Sequence, residues 1–309
     1  MKVIVASGPD GSRKQELELP ANATLADLKK AYRPNTDVHR KSFKVPGTNA
    51  VEPASPAADG SKPRPNLLTL SPNLPLSQQG VKNGTVITYK DLGPQIGYRT
   101  VFYVEYAGPI AFMLLYAMRP SFIYGSATMP AYGYTQKLYI ALFIAHFVKR
   151  ELESMFVHKF SHPTMPMRNI VKNCVYYWSF AAFIGYVLCH PSFTQTSALQ
   201  SNAGAALMVI NELLNFAVHY QLSTMRKSDG DTTRNVPRGP LFALVSCPNY
   251  FFEIMSWVSF SVGTNMLSSW FFTLAGFVQM ADWAKKKHRG YVKADPANKK
   301  KAAILPFIM

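Results

Sequence analysis

Acidic side chains are scarce in this chain: 17 Asp and Glu stand against 33 Lys and Arg, a formal net charge of +16 over 309 residues. Cysteine is scarcer still, with Cys174, Cys189 and Cys247 the full set. None belongs to a C-x-x-C pair and all lie in or beside apolar segments, which argues against a disulfide framework and a zinc site. No G-x-G-x-x-G turn follows a strand, so a soluble Rossmann domain is excluded as a nucleotide site. The opening MKVIVA, Met1 to Ala6, is far too short for the apolar stretch of a signal peptide. Membrane insertion is therefore expected from an internal span.

What is present divides at about residue 98. Residues 1–98 are polar and hold 13 basic and 8 acidic side chains. Residues 99–309 alternate apolar runs with short basic links and hold 20 basic and 9 acidic ones. Basic links beside apolar runs favour the cytoplasmic face of a membrane, where anionic lipid attracts them. They form no single patch, so no nucleic-acid partner is expected.

The first part reads as a small α/β domain over residues 1–90. Lys2 to Ser7 alternates as a strand, Gly8-Pro9-Asp10-Gly11 is turn chemistry, and Gln15 to Leu19 alternates again. Thr24 is placed to cap a short helix whose apolar face is Leu25, Leu28 and Tyr32. Residues 46–65, rich in Pro, Ala, Ser and Gly, read as a flexible loop. Thr85 to Tyr89 forms a last strand after Lys82-Asn83-Gly84. Hairpin, helix, then later strands is the order of a ubiquitin-like β-grasp. No catalytic cluster lies in it.

The second part, residues 91–309, reads as an all-α multi-spanning membrane bundle of six or seven helices. Candidate spans are 101–118, 136–150, 171–190, 198–222, 241–262 and 264–283. Two are shorter than the ~20 residues of a clean span. Short or broken spans are tolerated where they line a cavity enclosed by protein.

Ionisable residues inside apolar runs are costly and usually functional. Glu105 sits early in the first span. His146, Lys149, Arg150 and Glu153 follow LYIALFIA and share a helix face. Glu212, Asn215, His219 and Arg226 fall at steps of three, four and seven, one stripe down a helix. A stripe of donors ending in Arg suits an anionic ligand such as a nucleotide. In SCPNYFFE, Asn249 and Glu253 are one turn apart with Tyr250 beside them. Between the fourth and fifth spans, Arg226, Lys227, Arg234 and Arg238 surround a Gly/Pro loop that could close over phosphates. Each group has a bland alternative: a helix end meeting water, a polar seam between helices, or a basic loop without a ligand.

Four phrases taken together resemble the steroid 5α-reductase family of membrane reductases, and within it the very-long-chain trans-2-enoyl-CoA reductase branch. They are KDLGPQIGYRTVFYVEYAGP, HFVKRELESMFVHKFSHPTMPMRNIVKN, NVPRGPLFALVSCPNYFFEIMSWVSF, and QMADWAKKKHRGYVK with the ending ILPFIM. The ubiquitin-like start fits the same branch. The resemblance implies that NADPH supplies a hydride to the β-carbon of an enoyl-CoA and that a proton reaches the α-carbon. A developing enolate needs donors, a general acid and exclusion of water. Carried over by position, Tyr250 is the proton donor and Glu105 the first-span carboxylate at the substrate. A free phenol, with a pKa of roughly 10, wants a cation nearby, and Lys149 is the candidate. Asn215, Arg226, Arg238, Asn249, Glu253 and Tyr291 match cofactor positions; His219 stands where the steroid branch has Asp. Phe147 stands after His146 where that branch has Tyr, which argues against recognition of a steroid 3-ketone. The resemblance further implies the endoplasmic reticulum membrane with a cytosolic N-terminal domain. The implied partners are an elongase, a 3-ketoacyl-CoA reductase and a 3-hydroxyacyl-CoA dehydratase. No metal is expected.

Overall fold

A computed structural model describes residues 1–8, 11–46, 67–70, 74–125, 129–229 and 235–308. The chain forms two compact units, Met1–Ile96 and Gly97–Met309. The proposed loop at 46–65, the middle of the Gly8–Gly11 turn, and Arg234 fall outside the described residues, apart from Pro46, which closes a strand.

In the first unit, β1 (Lys2–Ser7) pairs antiparallel with β2 (Arg13–Glu18) and parallel with β5 (Val86–Asp91). β3 (Lys41–Pro46) lies antiparallel between β5 and β4 (Leu67–Thr69), giving the order β2-β1-β5-β3-β4. Alternation places Val3, Val5, Phe43, Val45 and Ile87 on the face covered by α1 (Leu25–Ala31). Thr24 caps α1 as the spacing predicts: its hydroxyl accepts the Asp27 amide, and Asp27 accepts the Thr24 amide at 2.9 Å.

One buried charge closes this unit. Lys41 shares its face with Phe43 and Val45 and is 1% exposed. Its ammonium donates to the carbonyls of Lys29, Tyr32 and Arg33 at 2.7, 2.8 and 2.8 Å, satisfying the C-terminal end of α1. Methionine fills similar volume but strands all three carbonyls, at about 1–3 kcal/mol for each left dry. Lys41→Met should therefore lower amide protection in β1, β3 and β5 by roughly a hundredfold, taking ~3 kcal/mol as the net cost. Hydrogen exchange on the full chain measures this.

The second unit is helical: α2 (Tyr98–Ala117), a one-turn α3 (Ser121–Tyr124), α4 (Tyr134–Phe156), α5 (Arg168–Cys189), α6 (Ala198–Thr224), α7 (Pro248–Thr264) and α8 (Leu267–Ala294). The span expected at 241–262 begins later. Pro240–Phe242 is a single 3-10 turn, and α7 starts at Pro248, where a proline costs no helical hydrogen bond. α8 runs eleven residues beyond the apolar stretch because Lys and Arg are good helix formers. Among the described residues, α2 is the one helix long and apolar enough to cross a membrane by length and composition.

Glycine lets these helices touch. A Cβ at Gly108 of α2 would collide with the Trp178 ring of α5. At Gly263 of α7 it would collide with the Tyr139 hydroxyl of α4, and at Gly204 of α6 it would meet both that hydroxyl and the Gly263 backbone. Small residues allow such close crossings. Contacts also sort the ends. Arg99 at the start of α2 bonds Asp229 after α6 at 2.8 Å, and Asp229 accepts the Phe160 amide after α4. Burial opposes the Asp229 charge, but Arg99 and that amide hold its carboxyl below the ordinary range. At the other end, Arg119 after α2 donates to the carbonyls of Cys189 and Pro130.

Candidate active site

α4 and α6 run parallel, as their ladder of contacts shows. Thr135 meets Ser201, His146 meets Glu212, Lys149 meets Asn215, and Glu153 meets His219. Helical spacing turns His146, Lys149, Arg150 and Glu153 onto one face of α4, and Glu212, Asn215 and His219 onto the facing side of α6. α7 adds Glu253.

The result is one connected network. The His146 ring lies between two carboxylates, with Nδ1 2.7 Å from Glu212 and Nε2 3.4 Å from Glu253. The Lys149 ammonium contacts Glu212 at 2.8 Å, Asn215 Oδ1 at 2.7 Å and Glu153 at 3.2 Å. Asn215 in turn donates to the Asn249 carbonyl at 2.9 Å, pinning the first turn of α7. Arg150 reaches Glu153, His219 and the Tyr106 hydroxyl of α2. The Trp257 indole donates to Glu253 at 3.2 Å. Glu153, Asn215 and His146 are buried, so their charges and dipoles are held by partners rather than by water.

The structure separates some residues that the sequence groups. Arg226 is not on the α6 stripe. That helix ends at Thr224, and the Arg226 guanidinium donates to the Lys159 carbonyl beyond it. Glu105 is buried on α2, accepts from Asn173 of α5 at 2.7 Å, and lies close enough to Tyr106 and Arg150 to feel their dipole and charge. Tyr250 is half-buried and faces α8. Lys149 is engaged elsewhere, so it is not the cation beside the phenol. Lys287 is, with Nζ 4.6 Å from the ring centroid. The Trp283 ring packs 6.1 Å from Tyr250. Lys149 connects to Tyr250 only through Asn215 and the Asn249 peptide. The step of four along α8 through Trp283, Lys287 and Tyr291 is the sequence signal for this face, masked by the run of lysines around it.

Around the start of α7 the loop and the C-terminus close together. The Ser246 and Cys247 amides donate to Ala302 and Ala303, and the Ala302 amide donates to Leu244. Ile304 is buried beneath them. Among the described residues no side chain caps α7, whose N-terminal end carries partial positive charge. Arg238 nearby in the chain is 80% exposed at its side chain, contacts Asp295 at 3.2 Å and precedes Gly239, whose φ of 118° no L side chain adopts easily. Half-buried Tyr291 lies close enough to Lys287, Tyr250 and Arg226 to feel their charge or dipole. Asn249, Glu253, Tyr291, Arg226 and Arg238 thus supply hydrogen-bonding groups of both kinds and two guanidiniums, the donor set that a phosphorylated nucleotide needs. A metal is a poorer fit. Glu153, His158 and His219 bring ligand atoms within 4.8 Å of one another, but the Arg150 guanidinium already lies against Glu153 and His219.

Comparison with known proteins gives a consistent set. Residues 163–309 match the family described as 3-oxo-5-alpha-steroid 4-dehydrogenase. The "Putative enoyl-CoA reductase" of Trypanosoma brucei brucei is 62% identical over 100% of both chains. The "Very-long-chain enoyl-CoA reductase" of Dictyostelium discoideum is 36% identical over 94% of this chain and 93% of its own. The mouse "Trans-2,3-enoyl-CoA reductase-like" protein is 36% identical over 76% of this chain and 68% of its own.

Proposed function

We propose a specific reaction on one premise: the chain belongs to the enoyl-CoA reductases of the steroid 5α-reductase family. It is an oxidoreductase that reduces the trans-2 double bond of an enoyl-CoA to a saturated acyl-CoA. The proposal adds that the acyl chain is very long, that NADPH is the reductant, and that the product leaves a fatty acid elongation cycle at the endoplasmic reticulum membrane.

The observation that carries the reading is the Lys149–Glu212–His146–Glu253 network, in which His146 is buried and the three charged side chains are mostly buried. A non-catalytic adaptor with a ubiquitin-like module has no use for mostly buried charges drawn from three helices. NADPH, when bound, supplies a hydride to the β-carbon. Asn215, His219, Asn249, Glu253, Tyr291, Arg226 and Arg238 would hold it, with Arg234 completing the basic loop. Lys149 is the donor aimed at the thioester oxygen as negative charge develops there. Tyr250 gives its proton to the α-carbon, and Lys287 stabilises the phenolate that remains. Glu105 orients the substrate from α2.

All six long helices cross the membrane in this reading. Links 118–133, 190–197 and 265–266 at one end hold Arg119 as their single Lys or Arg. Links at the other end hold Lys159, Arg226, Lys227, Arg234 and Arg238, and the basic end of α8 lies there too. That asymmetry supports a cytosolic position for the active end. The first unit is read as a ubiquitin-like β-grasp that folds alone, and a cytosolic location is proposed for it. Elongase, 3-ketoacyl-CoA reductase and 3-hydroxyacyl-CoA dehydratase are the proposed neighbours.

Purified chain should saturate a trans-2-enoyl-CoA with NADPH and leave a 4-ene-3-oxosteroid untouched; the reverse preference would sink the reading. Arg226→Ala and Arg238→Ala should each weaken NADPH about tenfold or more, the worth of one charge-assisted contact, and change NADH little. Equal loss for both nucleotides would remove these arginines from the 2′-phosphate.

A further inference from the structure

The parallel pair α4 and α6 leaves a cleft of about 180 Å³ between its helices, and the Lys149 network forms one end of it. His146, Lys149 and Glu212 line that end. Leu142, Ala145, Val209 and Leu213 line the rest. Because the helices run in the same direction, Leu142 lies about 10 Å up α4 from Lys149 at 1.5 Å per residue, away from the basic links. Val209 is 44% exposed and Leu213 64%, so the cleft opens sideways, away from the helix bundle.

Resting on the reading of the chain as an enoyl-CoA reductase whose thioester-facing donor is Lys149, we propose that this cleft holds the acyl chain, which enters sideways from the bilayer between α4 and α6, and that Leu142 and Val209 set the chain length accepted. The occupant follows from the lining. A site charged at one end and apolar along its length suits a ligand with the same polarity. Enclosed ligand pockets are commonly 300–1,000 Å³, on the order of twice this cleft or more. At about 180 Å³ the cleft holds only the first part of a very long chain, and the rest stays in the bilayer at the open side by Val209 and Leu213. The CoA head remains at the basic end, outside it.

A physical consequence follows. A tail that leaves hydrocarbon for an apolar cleft gains almost nothing from transfer, because both surroundings are equally dry. Length selectivity therefore arises from fit and not from hydrophobic burial. Bulk placed in the cleft should discriminate against long chains while leaving the chemistry intact.

The test uses the full chain in phospholipid vesicles, with but-2-enoyl-CoA and a very-long-chain trans-2-enoyl-CoA as substrates. Leu142→Trp and Val209→Trp should each lower the long-to-short ratio of kcat/KM by about tenfold or more, the effect of steric misfit in an apolar site. Their short-chain rate should stay near that of the parent. Val171→Trp, on an exposed face of α5, should leave the ratio unchanged. An unchanged ratio in both cleft variants, or parallel loss of both substrates, overturns the assignment. Failure of the parent chain to reduce but-2-enoyl-CoA or the long substrate would instead remove the reading on which it rests.

Discussion

Tyr250→Phe should lower turnover by ~10²–10⁴-fold, the usual worth of a general acid, while NADPH binds as before. The substitution deletes one hydroxyl and keeps the ring between Trp283 and Lys287, so packing at the start of α7 is preserved. If Tyr250 were only a packing residue, the phenyl ring would fill the same volume and rates would stay near normal. Lys287→Met makes the cause explicit. It leaves the phenol but removes the cation over its ring, so the rate should fall. Asn249→Ala should behave differently, raising the KM for NADPH, because an amide has no proton to give at neutral pH. Steady-state rates and nucleotide affinity measured side by side separate these outcomes. Full turnover in Tyr250→Phe would move the acid elsewhere, with Glu105 next.

Lys149→Met should be nearly as severe, for a reason that can be separated from simple damage. Loss of one donor to a developing oxyanion costs ~10²–10³-fold in turnover. The same change also strips a cation from Glu212 and Glu153, and breaking a buried pair costs about 3–5 kcal/mol in stability. The double variant Lys149→Met with Glu212→Gln removes charge from both sides of the closest contact. It should regain stability and nucleotide binding relative to the single variant, but not turnover. Recovery of turnover in the double variant would make Lys149 a counter-ion only. A double-mutant cycle is the appropriate measurement, since the two side chains touch.

The polar groups that now form the network were legible at the level of single helices. A step of three or four identifies which residues of α4 and α6 share a face, and His146, Lys149, Glu153, Glu212, Asn215 and His219 all lie where that step puts them. Less was legible where a stripe ran past a helix end, as at Arg226, since periodicity holds only while the helix lasts. The α7 start departs from the expected span for a related reason: Pro240 and Pro248 both read as helix openings, and the strand-like link of Leu244–Cys247 to the C-terminal residues decides between them.

The amino-acid order by itself determined the two-part organisation, the Thr24-capped helix and its buried face, the charged stripes, and membership of a reductase family. These rest on local rules: strand alternation, caps, helical period, and phrases matched along the chain. Only the tertiary structure decided which stripe faces which. Lys149 went to Glu212 rather than to Tyr250, Lys287 took the place over the phenol, and Glu105 went to Asn173. Those pairings depend on how each helix is rotated about its axis and where helices cross. The contacts at Gly108, Gly204 and Gly263 set the crossings, because a helix pair can close only where no Cβ stands between them.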